Sequence, residues 1–364
     1  MRYLLPCITL LFLLSACASQ EDSGDSQQVA GPTPTRAAAA LLTPQPAIEE
    51  VRFPDDEAPH DMLTEWWYYT GHLFTEDGDR YGFEYVFFQA NRGSFPPYYA
   101  AHLAITDNPA GTFSYAEKAG PDAISDTDEG FNLELDDWSM SGALGTDQLT
   151  AAMDGYAIDL ELQATKPPAL HNGIGYVEFG AAGGSYYYSR TNIDVSGTLT
   201  VGDEQLSVSG EAWMDHQWGN FISVGAGGWD WFSVQMENNE ELTISLIFDE
   251  DETVVMSYGT IVLDDGTAIH LDMGDFSVEP TETWVSPATG AEYPSRWTIE
   301  VPEYDWTLDL IPSMPDQELD TTASTGVIYW EGEVEVTGTI AGDNLTGLGY
   351  VELTGYASDS MPQQ

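Results

Sequence analysis

The 364-residue chain holds two cysteines, Cys7 and Cys17, both within its first seventeen residues. A form processed before Cys17 and modified on that thiol has neither disulfide nor free thiol. Its stability then comes from packing, and cysteine catalysis is excluded. Cationic residues are scarce: nine Lys and Arg stand against 61 Asp and Glu, a formal charge of -52, and Lys118 and Lys166 are the only lysines. That field repels phosphate backbones and anionic lipid surfaces, which excludes nucleic-acid binding. It reads most simply as a solvated surface suited to high salt. Beyond the N-terminus no apolar run is long enough to span a bilayer, and no segment holds a helical period. His-Glu-x-x-His and close-spaced histidine pairs are absent, so no metal or other cofactor is expected. Any metal site would have to recruit His60, His72, His102 and His216 from afar. Serine hydrolysis lacks its Gly-x-Ser-x-Gly elbow.

What is present begins with an address. Arg2, then "YLLPCITLLFLL", then Leu14-Ser15-Ala16-Cys17 reads as a secretory signal ending in a bacterial lipobox. The expectation is a signal over 1–16 and diacylation of Cys17, giving an exported lipoprotein anchored on the extracytoplasmic side of a membrane. Residues 17–50, rich in Ser, Gln, Pro, Ala and acids, read as a flexible tether.

From Val51 the texture changes. Short aromatic and β-branched runs such as "RYGFEYVFFQ", "YAIDLELQA" and "LTISLIF" alternate with Gly, Asp and Asn, and Asp-Gly pairs mark hairpins. The fold class is all-β, with antiparallel strands closing into barrels or sandwiches. There is enough chain for two such units, placed at 51–220 and 221–358, with 359–364 as a tail. "NIDVSGTLTVGDEQLSVSG" and "EVEVTGTIAGDNLTGLG" echo each other as strand, hairpin, strand. Either barrel interior can be filled by side chains or left open for a ligand.

Three stretches then carry a resemblance: "EWWYYTGHL" (Glu65–Leu73), "WMDHQWG" (Trp213–Gly219) and "GWDWFSVQM" (Gly228–Met236). With "WVSPATGAEYPSRWTI", "DQELD", "VIYWEGEVEVTG" and "GYVELTGY", they make residues 50–357 similar to the lipocalin-like family of carotenoid 1,2-hydratases and related predicted secreted hydrolases. The resemblance implies two consecutive lipocalin-like barrels and an apolar ligand, an isoprenoid or other lipid. It also implies catalytic weight on the Asp-His-x-Trp positions, here Asp215, His216 and Trp218. A further downstream acid is implied, for which Asp230 and Asp249 are the candidates.

Hydrating an unactivated double bond needs a strong acid, a stabiliser for the carbocation and a positioned water. A carboxylic acid kept neutral in a dry site, indole faces and an imidazole are suited to these roles. Alternation along a strand sets Trp213, Asp215 and Gln217 on one face and Met214, His216 and Trp218 on the other, unless a bulge intervenes. If the first set lines the barrel, Asp215 is its buried acid; if the second does, Asp215 faces neighbouring structure. Trp67, Tyr69, Trp213, Trp229 and Trp231 are the candidate ligand-binding aromatics, and the same spacing equally fits ordinary barrel filling. A carrier using such a cavity without chemistry is the alternative to a hydratase. If Cys17 is the anchor, Cys17→Ser releases the protein from membranes into the soluble fraction; unchanged retention on fractionation refutes the lipoprotein assignment.

Overall fold

The computed structural model describes residues 48–357, apart from 93–94, 122, 125–126, 128, 180–182 and 222–226. The signal, Cys17 and nearly all of the tether lie outside the described residues, as does the 359–364 tail. The strands form two antiparallel sheets, one of twelve strands and one of ten. The first runs from Thr64–Thr75 to Glu204–Gly219 and the second from Gly228–Met236 to Asp343–Thr354. In each, the first strand pairs with the last, which curls the sheet towards a barrel. The two echoing stretches occupy the same place in both sheets, the hairpins Gly184–Val201/Glu204–Gly219 and Val327–Ile340/Asp343–Thr354. The second turns through Ala341 and Gly342, both at positive φ, the backbone that two-residue hairpin loops favour.

Burial separates two kinds of strand. Tyr156–Ala164 alternates, with Ile158, Leu160 and Leu162 inside and Asp159 and Glu161 outside, as a sheet with one solvated face requires. Along Glu204–Gly219 alternation holds for the first half and then gives way to eight consecutive buried residues. Tyr98–Asp107, Arg80–Ala90 and Thr64–Thr75 are likewise buried on both faces in the first sheet, as are Gly228–Met236 and much of Val327–Ile340 in the second. These strands are doubly covered because the outer face of one barrel lies against the outer face of the other. A register shift between Arg190 and Ile193 lets both Tyr188 and Ile193 point inward.

Each barrel is filled by its own side chains. Trp67, Tyr69, Phe83, Tyr85, Phe87, Trp138 and Tyr188 pack the first, and Phe232, Trp297, Trp330 and Tyr293 the second. The contact between them is different in kind. A small apolar cluster, Val86 with the rings of Tyr68, Trp213, Trp231 and Tyr350, is flanked by buried Glu84, His102, Asp215, Gln235, Thr260, Glu331 and Glu333. Approach is close: a Cβ on Gly82 would meet Tyr350 and Glu333 of the other barrel.

Lys166 and Arg80 form ion pairs across this contact. Lys166 Nζ lies 2.9 Å from both Glu241 carboxylate oxygens and also donates to the carbonyls of Asn239 and Leu263. Arg80 reaches Glu333 at 2.5 Å and Glu335 at 2.7 Å. Lys166→Met strands the buried Glu241 carboxylate, so it is expected to cost about 3–5 kcal/mol in urea unfolding. Lys166→Met combined with Glu241→Leu should recover most of that loss.

Candidate functional site

Thr64–Thr75 pairs with residues 208–219 without a break, so side chains alternate strictly through "WMDHQWG". Met214, His216 and Trp218 enter the first barrel, whereas Trp213 and Asp215 face the second. The motif therefore contributes to two sites on opposite faces of one sheet.

Between the barrels, Asp215 is buried and accepts hydrogen bonds from Tyr187 Oη at 2.6 Å, Trp213 Nε1 at 2.7 Å and Ser189 Oγ. Burial pushes its pKa up to about 6, against the pull of those three donors. Trp231 Nε1 donates to Tyr187 Oη at 3.2 Å, and the Trp231 ring meets Tyr68 edge-on at 5.3 Å. Tyr68 Oη in turn donates to Glu331 Oε1 at 2.8 Å. A continuous run of contacts thus joins Asp215 to Glu331.

Glu331 and Glu84 are buried, and each keeps one oxygen, Oε2, without a hydrogen-bond partner among the described residues. Burial first, then mutual repulsion with neighbouring carboxylates, holds both pKa values well above the usual range. Glu333, two residues along the same strand face, goes the other way. Burial raises it, but His72, Arg80 and Asn108 lower it by more. One strand therefore presents a protonated and an ionised carboxyl side by side, set by whether a cation is in reach.

Two neutral imidazoles flank the row. His102 bonds Tyr329 Oη at 2.8 Å and Ser324 Oγ at 2.9 Å, and His171 bonds Ser189 Oγ at 2.8 Å and Thr260 Oγ1 at 2.9 Å. Burial lowers each to about 3. Farther along the interface a cleft of about 860 Å³ opens, lined by Phe74, Arg80, Gln235, Met236, Glu335 and Leu348 among others.

Inside the first barrel, His216 Nε2 lies 2.8 Å from Glu65 Oε1, and His60 Nδ1 lies 2.8 Å from the same oxygen. Trp218 stacks on His60 at 4.1 Å, and Trp67 on His216 at 4.7 Å. Burial raises the Glu65 pKa, but its two imidazole partners lower it further, so it is ionised; burial lowers that of His216.

The other expected residues scatter. Tyr69 is core, donating to Asp147 at 2.9 Å. Trp229 is 40% exposed at the rim, its Nε1 3.1 Å from Glu352. Asp230 points into the second barrel and is held by Tyr356 at 3.0 Å, and Asp249 organises a turn through the amides of Asp251 and Thr253. Arg190 pairs with Glu57, as its acidic surroundings suggest, while Arg92 donates to the carbonyls of Leu63 and Asn91. Glu84, Glu331 and Tyr187 escape sequence reasoning, although an acid set beside aromatic residues in a strand, as in "GFEYVFF" and "IYWEG", is a signal for two of them.

Two antiparallel barrels closed back to back over ionisable groups define a two-barrel, lipocalin-like protein. The chain belongs to the AttH-like family, whose profile matches residues 44–356. It is 31% identical to an AttH-type protein of Nitrosomonas europaea, with a TM-score of 0.77 over 85% of this chain and 98% of that one. Kievitone hydratase from Nectria haematococca shares the fold at 19% identity, with a TM-score of 0.69 over 85% of this chain and 94% of that one. Dehydratase asqC of Emericella nidulans is 26% identical over 211 residues, which is 54% of this chain and 57% of that protein. These relatives agree with the resemblance to the hydratase family.

Stability should carry the sign of the buried acids. Burial raises Asp230 to about 8, so the folded state holds a proton that the unfolded chain releases near pH 4. Its contribution is full below the unfolded value and is lost as pH rises from about 4 to about 8. Asp230→Asn should flatten the fall in melting temperature over that window; an unchanged slope would refute the assignment.

Proposed function

We propose that this protein adds water to, or removes it from, a carbon–carbon double bond of an apolar isoprenoid or lipid substrate bound between its barrels. It acts outside the cytoplasm, tethered through Cys17. The observation that carries this reading is Glu331, fully buried, with Oε1 accepting from Tyr68 and Oε2 unpartnered. In the neutral acid the proton sits on Oε2, a donor with no acceptor until a substrate supplies one.

The neighbours suit the remaining steps. Glu331 gives its proton to one alkene carbon. The cation formed on the other carbon lies against the faces of Tyr68, Trp213 and Trp231, an attraction worth about 2 kcal/mol per ring when dry. A water adds to that carbon and its second proton passes to Asp215, whose pKa near 6 leaves it ionised at neutral pH. Run backwards, the same groups dehydrate an alcohol. The asqC relative is named a dehydratase, which supports this class of chemistry. The filled barrel interiors favour the interface over a lipocalin-type cage as the substrate's place.

The test is incubation with acyclic carotenoids and shorter polyenes in ¹⁸O water. Label should enter an alcohol product, and Glu331→Gln should lower the rate about 10²–10⁴-fold, the range for a general acid. Tight polyene binding with no label from any substrate would replace the hydratase by a carrier.

A further inference from the structure

On the other face of the same strand, independently of the chemistry above, we infer that His60, Glu65 and His216 form a binding site for one Zn²⁺ ion. Among the described residues, this group offers three ligand atoms within 4.8 Å of one another. They come from the segment before the first strand, from that strand and from the last strand of the sheet, which explains why no spacing motif announces them.

Three features distinguish the cluster from an ordinary hydrogen-bonded core. First, the carboxylate is oriented. Glu65 Oε2 is tied off by the His60 backbone N–H at 2.8 Å and by Gln89 Nε2 at 3.3 Å, which leaves Oε1 facing both imidazoles. Second, the rings have outer partners. His60 Nε2 approaches Asp56 Oδ1 at 3.6 Å, and His216 Nδ1 lies 3.2 Å from Tyr188 Oη. Metal-bound histidines are usually fixed by such contacts on the ring nitrogen that does not bind. Third, the hydrogen-bond partners of Glu65 are His60, His216 and Gln89, with no Lys or Arg among them, so no fixed cation competes with a metal ion for Oε1.

The donor set selects the ion. Two imidazoles and one carboxylate, with no thiolate, suit Zn²⁺ with an open fourth position. Bonds of about 2.0–2.1 Å to N and O in tetrahedral geometry put ligand atoms roughly 3.3 Å apart. The 2.8 Å contacts must therefore widen by about half an ångström. His60, the partly exposed member, can supply that movement by sliding along the face of Trp218.

The experiment strips the full chain with chelator and titrates it with Co²⁺, then Zn²⁺, in excess Mg²⁺ to occupy surface carboxylates. One Co²⁺ per chain should bind, with a visible d–d band that Zn²⁺ abolishes. His60→Ala should remove the band, and the metal-free variant should still show the β-sheet circular dichroism and cooperative melting of a folded protein. Asp56→Asn should weaken binding about 10–100-fold, as expected for an outer partner. No band in the wild type, or Zn²⁺ affinity unchanged in His60→Ala, would overturn the site.

Discussion

Carboxyl groups removed from water between two sheets are the constraint on which the rest of this structure depends. An ionised carboxylate in such a place needs a cation or several donors, and otherwise it keeps its proton. The interface uses both solutions. Glu241 and Glu333 meet Lys166 and Arg80, while Glu84 and Glu331 have only hydroxyls for partners and remain neutral. The scarcity of basic residues makes the distinction sharp. Where Arg80 reaches, the carboxylate is charged; two residues further back along Val327–Ile340, it is not.

This arrangement also supports placing the proposed chemistry between the barrels. A filled barrel needs no polar groups, and both interiors here are mainly hydrocarbon and aromatic rings. Covering a sheet's outer face with ionisable groups costs stability that apolar residues of similar size would not cost. The aromatic cluster of Tyr68, Trp213, Trp231 and Tyr350 offsets part of that cost, and its ring faces are what a developing cation needs. Stability and the proposed chemistry draw on the same contact.

The all-β class, the paired hairpins and the family were legible because they rest on short-range signals: alternation, turn residues and runs of unusual residues. Alternation also placed Asp215 and His216 on opposite faces. It left open which face was inside, because "WMDHQWG" is buried on both sides and carries no solvent signal. What escaped was pairing at a distance. Glu65 and His216 are 151 positions apart, and Tyr68 and Glu331 are 263 apart. Only the strand order and the docking of the two sheets bring them together. The proposed metal cluster is assembled from three separate segments, and local spacing carries no signal of such a group.

Net charge links the surface to the site. A formal charge of -52 adds a negative field around the molecule, and such a field favours protonated carboxyls over ionised ones. Burial and field therefore act in the same direction on Glu84 and Glu331. The field is screened over about 8–10 Å at ordinary ionic strength, so added salt relieves the exposed charges far more than the dry ones. An acidic coat can thus coexist with an interior acid whose strength is set locally, with no cation beside Glu331 among the described residues. The same negative potential would favour the divalent ion proposed where Glu65 lies between two imidazoles.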